Sequence, residues 1–343
     1  MIGFPSKKED KNIQIGIDIG KNFIKSASMS HSGIKPKLVN FSIKPVGDNV
    51  AKAIKDAHAD LNTPKTRVTS SISGPSVIVR YIEMPSMNEE ELKSAIQFEA
   101  EKVIPFNIKD IILDFAKMED LEGNRMRVLI AAAKKDLVDI QVKMINEAGL
   151  EPAIFDIDSF AILNAFDITG IDKDKVCGLL NIGAKRSNLN IVKGGISYLS
   201  RDIEVGGNAV AKIIAESLSI SAEEAQKSME EKLSKINELS EEDKQLIVGS
   251  LTDAFSSLSD EVRLSFDYYE NQYASSVDKI YLSGGMSESE TIKNLLKENL
   301  GRETSKLDLL SGIDIAEGLD KGALEKSISQ LAVAVGLALR RAD

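Results

Sequence analysis

The sequence predicts an α/β protein of two lobes, with a smaller α+β unit inserted into the first. Three observations carry this. A strand, turn, strand, glycine turn, strand pattern occurs near the N-terminus and again from Val176, so one half of the fold duplicates the other. Between the two copies the texture changes at Pro85 into a helix and a strand pair that belong to neither copy. After the second copy the chain is mostly helical, apart from one strand that runs into Ser283-Gly284-Gly285.

In chain order, Ile13 to Asp18 is apolar and β-branched and reads as a strand, followed by a turn at Gly20 to Asn22. Phe23 to Met29 and Lys37 to Ile43 continue the meander across a turn at His31-Ser32-Gly33. Val50 to Leu61 has helical spacing. Val68 to Ile72 and Val77 to Met84 are strands separated by Gly74-Pro75. Ser86, as N-cap, opens a helix to Ile104 with Glu89-Glu90-Glu91 in its first turn. Ile111 to Lys117 and Arg127 to Ala132 pair around Glu122-Gly123-Asn124, and a helix from Lys135 to Ala148 ends at Gly149. Asp158 to Phe166 is helical.

The second copy runs through Val176 to Asn181, Ser187 to Val192 and Ile196 to Ser200, turning at Gly183 to Arg186 and at Gly194-Gly195. Helices follow over Asn208 to Leu218, from Ser221, and over Leu251 to Tyr269. Lys279 to Leu282 is a strand, Ser289 to Leu300 a helix, and Ser327 to Arg341 a last helix with its basic pair at the C-terminal end. The expected boundaries are 1–84, 149–175 and 325–343 for the first lobe and 85–148 for the insertion. Residues 176–206 and 274–324 make the second lobe, and 207–273 a helical subdomain.

With 343 residues, 43% hydrophobic and 28% charged, the chain can build more than one core. Its net charge of −10 repels phosphate backbones, which argues against nucleic acid as a partner. The single cysteine, Cys177, fits a reducing compartment and a buried place in a strand. The longest apolar run, Leu331 to Leu339, is too short to span a membrane. Met1 to Asn12 has no apolar core of a secretory signal, although Met1 to Phe4 ahead of Lys7-Lys8 is a weak candidate for touching an anionic membrane. A cytoplasmic location is expected. His31 and His58, the only histidines, are expected at the surface without metal spacing.

Gly20, Gly183 and the pair Gly284-Gly285 each follow a strand. Glycine lets a backbone approach a phosphate and present its N–H groups. Two matched turns in duplicated halves suggest hairpins gripping phosphates from opposite sides of a cleft. Other schemes fail: Gly16 to Asn22 is one residue short of a P-loop and lacks its hydroxyl, and neither G-x-G-x-x-G before a helix nor G-x-S-x-G is present.

Those residues carry a resemblance. Gly16-Ile17-Asp18-Ile19-Gly20 with Lys25, Leu180-Asn181-Ile182-Gly183-Ala184 and Leu282-Ser283-Gly284-Gly285 resemble the phosphate-1, phosphate-2 and adenosine motifs of the actin-like ATPase superfamily. Its fold is a duplicated, ribonuclease H-like pair of lobes. Within it, Ser73 to Pro85, Glu90 to Phe106, Asp156 to Ala165, Arg201 to Gly207 and Gly336 to Arg340 resemble the type IV pilus assembly family PilM, a relative of FtsA. The resemblance implies ATP or ADP with magnesium as cofactor. Asp18 would orient the magnesium hydration shell and Lys25 would meet the β-phosphate. Gly20, with Lys21 and Asn22 in its turn, would supply backbone donors. Gly183 would grip the γ-phosphate side, Gly206 and Gly207 would lie near the ribose, and Gly284 and Gly285 would pass under the adenosine.

Three departures matter. Asn181 stands where the family carries aspartate, so one metal-directed charge is lost and no base replaces it. Lys21 and Asn22 replace small hydroxyl residues, with Lys21 a candidate to stand in for the missing cationic or metal charge. Gln226 and Met229 replace a Glu and a Lys near the adenosine. Nucleotide binding with weak or no hydrolysis is therefore expected. The implied function is a cytoplasmic scaffold at the inner membrane. It would hold the N-terminal tail of a PilN-like bitopic membrane protein in a groove beside the insertion, and would link that platform to a pilus motor ATPase, with self-association as a further option. An alternative is a small-molecule kinase or active ATPase of the same fold, with Asp156 or Asp158 as base. An FtsA-like membrane tether is a third, which the absence of an amphipathic tail before Asp343 disfavours.

Overall fold

A computed structural model describes residues 12–218, 220, 221, 224, 225 and 240–340. Met1 to Phe4, Gln226 and Met229 lie outside them, as does most of the charge-rich stretch after Glu224.

In the first lobe β1 (Ile13–Ile19), β2 (Phe23–Ser30) and β3 (Lys37–Pro45) form an antiparallel meander, and β4 (Arg67–Ile72) lies parallel to β1. The second lobe repeats this with β9 (Cys177–Ile182), β10 (Ser187–Lys193), β11 (Ile196–Ile203) and the parallel β12 (Lys279–Ser283). A further parallel strand follows in each sheet, β8 (Glu151–Ile157) beside β4 in the first and β13 (Glu303–Lys306) beside β12 in the second. The strand orders β3-β2-β1-β4-β8 and β11-β10-β9-β12-β13 are therefore the same. The duplication read from two short motifs extends through both sheets.

Alternation along the strands decides what covers each face. Ile15, Ile17 and Ile24 pack on Ala53, Ile54 and Ala57 of α1 (Val50–Ala59) and on Ile145 of α3 (Lys135–Glu147). Leu180, Ile182, Leu189 and Ile191 pack on α5 (Gly207–Leu218), α6 (Glu241–Tyr273) and α7 (Glu290–Leu300). The opposite faces of both sheets meet a pair of helices between the lobes, α4 (Asp158–Asp167) and α9 (Ala332–Leu339). A methyl group at Gly336 would lie 1.7 Å from the Ala161 carbonyl oxygen, and one at Gly16 would lie 2.1 Å from that of Ala334. Glycine at both positions lets α9 lie flush against α4 and β1.

The inserted unit is a sheet of order β5-β7-β6, made of β5 (Val77–Pro85), β6 (Ile111–Leu121) and β7 (Arg125–Lys134), with α2 (Glu89–Val103) on one face. It therefore begins at β5, not at Pro85, because Val77 to Pro85 pairs with β7 along its whole length. It ends at Lys134, because α3 buries Ile145 in the first lobe. The N-cap of α2 is Asn88, which forms a reciprocal capping box with Glu91, whereas the Ser86 N–H bonds Asn124.

Three further expectations change. The segment assigned to the second lobe up to residue 324 returns earlier: Leu307, Leu309 and Ile313 bury beside Ala27, Met29 and Leu38, and β14 (Asp314–Ile315) pairs with β3. The apolar run at Leu331 extends into one helical stretch, Lys321–Leu339, which begins at α8 (Lys321–Ser327) and is long and apolar enough to cross a membrane. Here 61% of it is buried, and it forms the wall between the lobes. His31 and His58 are half-buried, not surface residues, since each ring bonds a main-chain carbonyl, Ala338 at 3.0 Å and Lys65 at 2.7 Å. Cys177 is buried as expected, and burial pushes its thiol up to about 12.

Candidate functional site

The two glycine turns are built alike. The Gly20 N–H donates to the Phe23 carbonyl at 3.1 Å, and the Gly183 N–H to that of Arg186 at 3.1 Å. A methyl group at either glycine would come 2.7 or 2.8 Å from the accepting oxygen, so the turn itself demands glycine. One residue pair precedes each turn in matching register, Asp18 opposite Lys25 and Asn181 opposite Asn188. Lys25 Nζ bonds Asp18 Oδ2 at 2.7 Å, and Asp18 is buried. In the second lobe the ion pair is replaced by amides: Asn181 Nδ2 donates to Asn188 Oδ1 at 3.0 Å, and Asn188 Nδ2 to Asp202 Oδ1 at 2.5 Å. The charge absent at Asn181 is thus present two strands away, at Asp202 on β11.

The turns face each other across the interlobe cleft. Asn22 Nδ2 reaches Asn208 Oδ1 at the start of α5 at 3.2 Å, and the Gly74 N–H donates to the Asp202 carboxylate. Lys21 sits exposed at the tip of its turn. Gly206 and Gly207 pack on the second turn, with the Gly207 N–H bonded to the Gly183 carbonyl at 2.9 Å. Gly284 has φ +89°, and a methyl group there would strike the Ile182 oxygen at 2.4 Å. Gly285 differs, since its nearest neighbour would be the Gln330 side chain at 3.9 Å. No packing contact requires glycine at 285, since a methyl group there would meet only ordinary contact with the Gln330 side chain. Gln226 lies outside the described residues.

Asp158, in the first turn of α4, joins Asp18 and Asp202 in this cleft. Burial first, then the charge of Asp18, pushes its pKa up to about 6; Ser71 and Ser73 hydroxyls pull it back, and Asp202 adds to the rise. Among the described residues no three His, Cys, Asp or Glu side chains are placed to hold a metal directly. Asp18, Asp158 and Asp202 together make this part of the cleft acidic. Asp202 stands in the run Arg201-Asp202-Ile203, and a carboxylate in a strand ending at buried Ile203 was the available signal for it.

A second concavity lies on the other side of α4. The face of the inserted sheet turned away from α2 and the β8–α4 junction enclose a cavity of about 480 Å³. One wall carries Ile112, Ala116 and Ala131, the other Phe155, Phe160 and Leu163. Asp156 points here, so the two carboxylates considered as a base diverge: Asp158 belongs to the cleft and Asp156 to the groove. Burial raises the Asp156 pKa, and Arg340, 3.6 Å away, lowers it in part. The residues of this groove were not legible individually, because they come from β4, β5, β6, β7, β8, β11, α3, α4 and the residue after α9.

The family model for type IV pilus assembly protein PilM matches residues 16–342. The chain belongs to the PilM family. A solved structure titled PilM–PilN type IV pilus biogenesis complex is 26% identical, with a TM-score of 0.83, and covers 96% of this chain and 98% of that one. The ethanolamine utilization protein EutJ from Carboxydothermus hydrogenoformans matches at 13% identity and TM-score 0.56, over 98% of this chain and 90% of that one. MreB5 of Spiroplasma citri bound to ADP matches at 12% and 0.51, over 94% and 98%. These two share the fold, so this PilM-family chain has the two-lobed actin-like architecture that its duplicated sheets display.

Proposed function

We propose that this protein is a scaffold of the type IV pilus inner-membrane platform, lying on the cytoplasmic side. In this reading it holds the extended N-terminal tail of a PilN-like membrane protein in the groove between the inserted sheet and the β8–α4 junction. The observation that carries the proposal is the cavity itself: about 480 Å³, lined by apolar side chains of both walls with Asp114, Asp156, Asn164 and Arg340 among them, in a chain that matches the PilM–PilN complex over almost its full length. A preformed apolar groove of this size suits a short extended peptide, whose side chains find pockets and whose main chain needs polar partners. Membrane attachment would come through the partner, because the apolar stretch Lys321–Leu339 is already spent between the lobes.

Ala131 gives the test, because its small side chain leaves the groove floor open and it is only partly buried. An Ala131→Leu variant fills part of the space that a peptide would occupy. Calorimetric titration with a synthetic peptide of the partner's cytoplasmic tail is expected to show binding to the parent and a loss of at least about tenfold in the variant, roughly 1.4 kcal/mol. Equal affinity would refute the groove reading.

The cleft supports a second role, ATP or ADP with magnesium as the ligand that sets lobe closure. Its support is the pair of matched glycine turns, one in each lobe. Bound magnesium would neutralise phosphate charge. Asp18 would order its water shell, Lys25 would exchange Asp18 for a phosphate oxygen, and the Gly20 and Gly183 turns would flank the phosphates. Gly284 and Gly285 would lie under the adenosine, with Gly206 and Gly207 holding the second turn in place. With amides at Asn181 and Asn188, hydrolysis is expected to be slow or absent.

A further inference from the structure

One end of the first lobe gathers features that neither the cleft nor the groove uses. At the turn between β2 and β3 the Ile34 side chain is fully exposed, at 106% of its reference area. Exposed Lys35 and Lys37 flank it. Lys35 Nζ reaches the Ser311 carbonyl at 3.2 Å, and Asp314 on β14 stands in register with Lys37. A single exposed isoleucine is ordinary, so what surrounds it decides its meaning. Residues 1–11, outside the described ones, join the fold at this same turn: the His31 N–H donates to the Asn12 carbonyl at 3.2 Å, and Ile13 pairs with Ser30. That stretch holds Ile2 and Phe4, then Lys7, Lys8 and Lys11 against Glu9 and Asp10. Its eleven residues span at most about 35–40 Å, which keeps both apolar side chains tethered near Ile34.

Five lysines thus stand against three carboxylates at this end, in a chain whose net charge is −10. Lysines interleaved with exposed apolar side chains suit one kind of surface, where the apolar groups enter a hydrocarbon boundary and the ammonium groups stay among phosphates. We propose that this end of the first lobe is a lipid-facing surface: Ile34, with Ile2 and Phe4, enters the interface of a bilayer containing anionic lipids, and the neighbouring lysines pair with its phosphates. The negative potential of such a leaflet strengthens binding by roughly fivefold for each lysine held near it and fades within a Debye length of about 8 Å. The acidic surfaces farther away are therefore screened, while the lysines at the contact are not. Three apolar side chains and a few lysines make a weak, reversible contact. Its effect is to orient the first lobe on the membrane. It adds to attachment through a partner and does not depend on the groove reading.

The chain contains no tryptophan, so one introduced at position 34 reports on that position alone. Ile34→Trp is titrated, in the whole chain, with vesicles of phosphatidylcholine and phosphatidylglycerol in equal parts, and with vesicles of phosphatidylcholine alone. Phe98→Trp, on the 70% exposed residue of α2, is the control for a different apolar face. The emission of Ile34→Trp is expected to shift to the blue with the mixed vesicles only, and added salt should reverse the shift. Phe98→Trp is expected to show no shift. The parent chain should co-sediment with the mixed vesicles, and a variant carrying both Lys35→Glu and Lys37→Glu should partition at least about tenfold less. All these positions are exposed, so unchanged melting temperatures are expected throughout. Absence of a shift at position 34, or an equal shift at position 98, overturns the proposal. So does equal binding to phosphatidylcholine alone, or partitioning that the double lysine variant leaves unchanged.

Discussion

Replacing Asp158 by Asn isolates the electrostatics of the cleft. The pKa of Asp158 rises from 3.8 to about 6, chiefly through burial and the neighbouring Asp18. The folded protein therefore holds a proton that the unfolded chain releases, and this group's contribution to stability is greatest below pH 3.8 and is lost as pH climbs to 6. A rise of about two units corresponds to roughly 3 kcal/mol of destabilisation above pH 6, of which about 1 is already present at pH 4.5. Asparagine cannot ionise, so the variant escapes this penalty. It also weakens the bonds from Ser71 and Ser73, at about 1 kcal/mol independent of pH. Urea unfolding is then expected to show Asp158→Asn near parity with the parent at pH 4.5 and more stable by roughly 2 kcal/mol at pH 7.5. A stability difference that stays constant between the two pH values would refute the carboxylate cluster as its source.

Three other outcomes are expected. Lys21→Ala should weaken ATP–magnesium binding several-fold if the Lys21 ammonium supplies cationic charge to the phosphates, and unchanged affinity by calorimetry would end that idea. Gly336→Ala places a methyl group on the Ala161 carbonyl, so α9 must separate from α4; a loss of about 3 kcal/mol or failure to fold is expected in thermal melts. Arg127 is buried, 4.9 Å from the Tyr273 ring centre and 5.4 Å from that of Tyr198, and it is paired with Glu119, so it ties the inserted sheet to the second lobe. Arg127→Leu should cost about 2–4 kcal/mol and speed amide exchange in Val77–Lys134, whereas unchanged exchange would show that the insertion is held elsewhere.

Much of this molecule is written locally. The two meanders, their glycine turns and the register that sets Asp18 opposite Lys25 follow from short runs of β-branched residues ended by glycine, and backbone sterics act over only a few residues. The helix after Pro85 and its acidic first turn were equally legible, down to a cap that moved by two residues. The limits of the insertion were not, because whether β5 joins one sheet or another depends on which edge it meets in space. The same holds for Asp156 and Asp158. Two positions apart at the end of a strand, they look interchangeable in sequence, yet the crossing of α4 between the lobes sends one into the cleft and the other into the groove. Asp202 gained a role only when strands from distant parts of the chain were packed together. Local sequence determined the elements and the two glycine turns. Only tertiary packing decided which buried polar atoms were left without partners, because partnership is a property of neighbours and not of chain order.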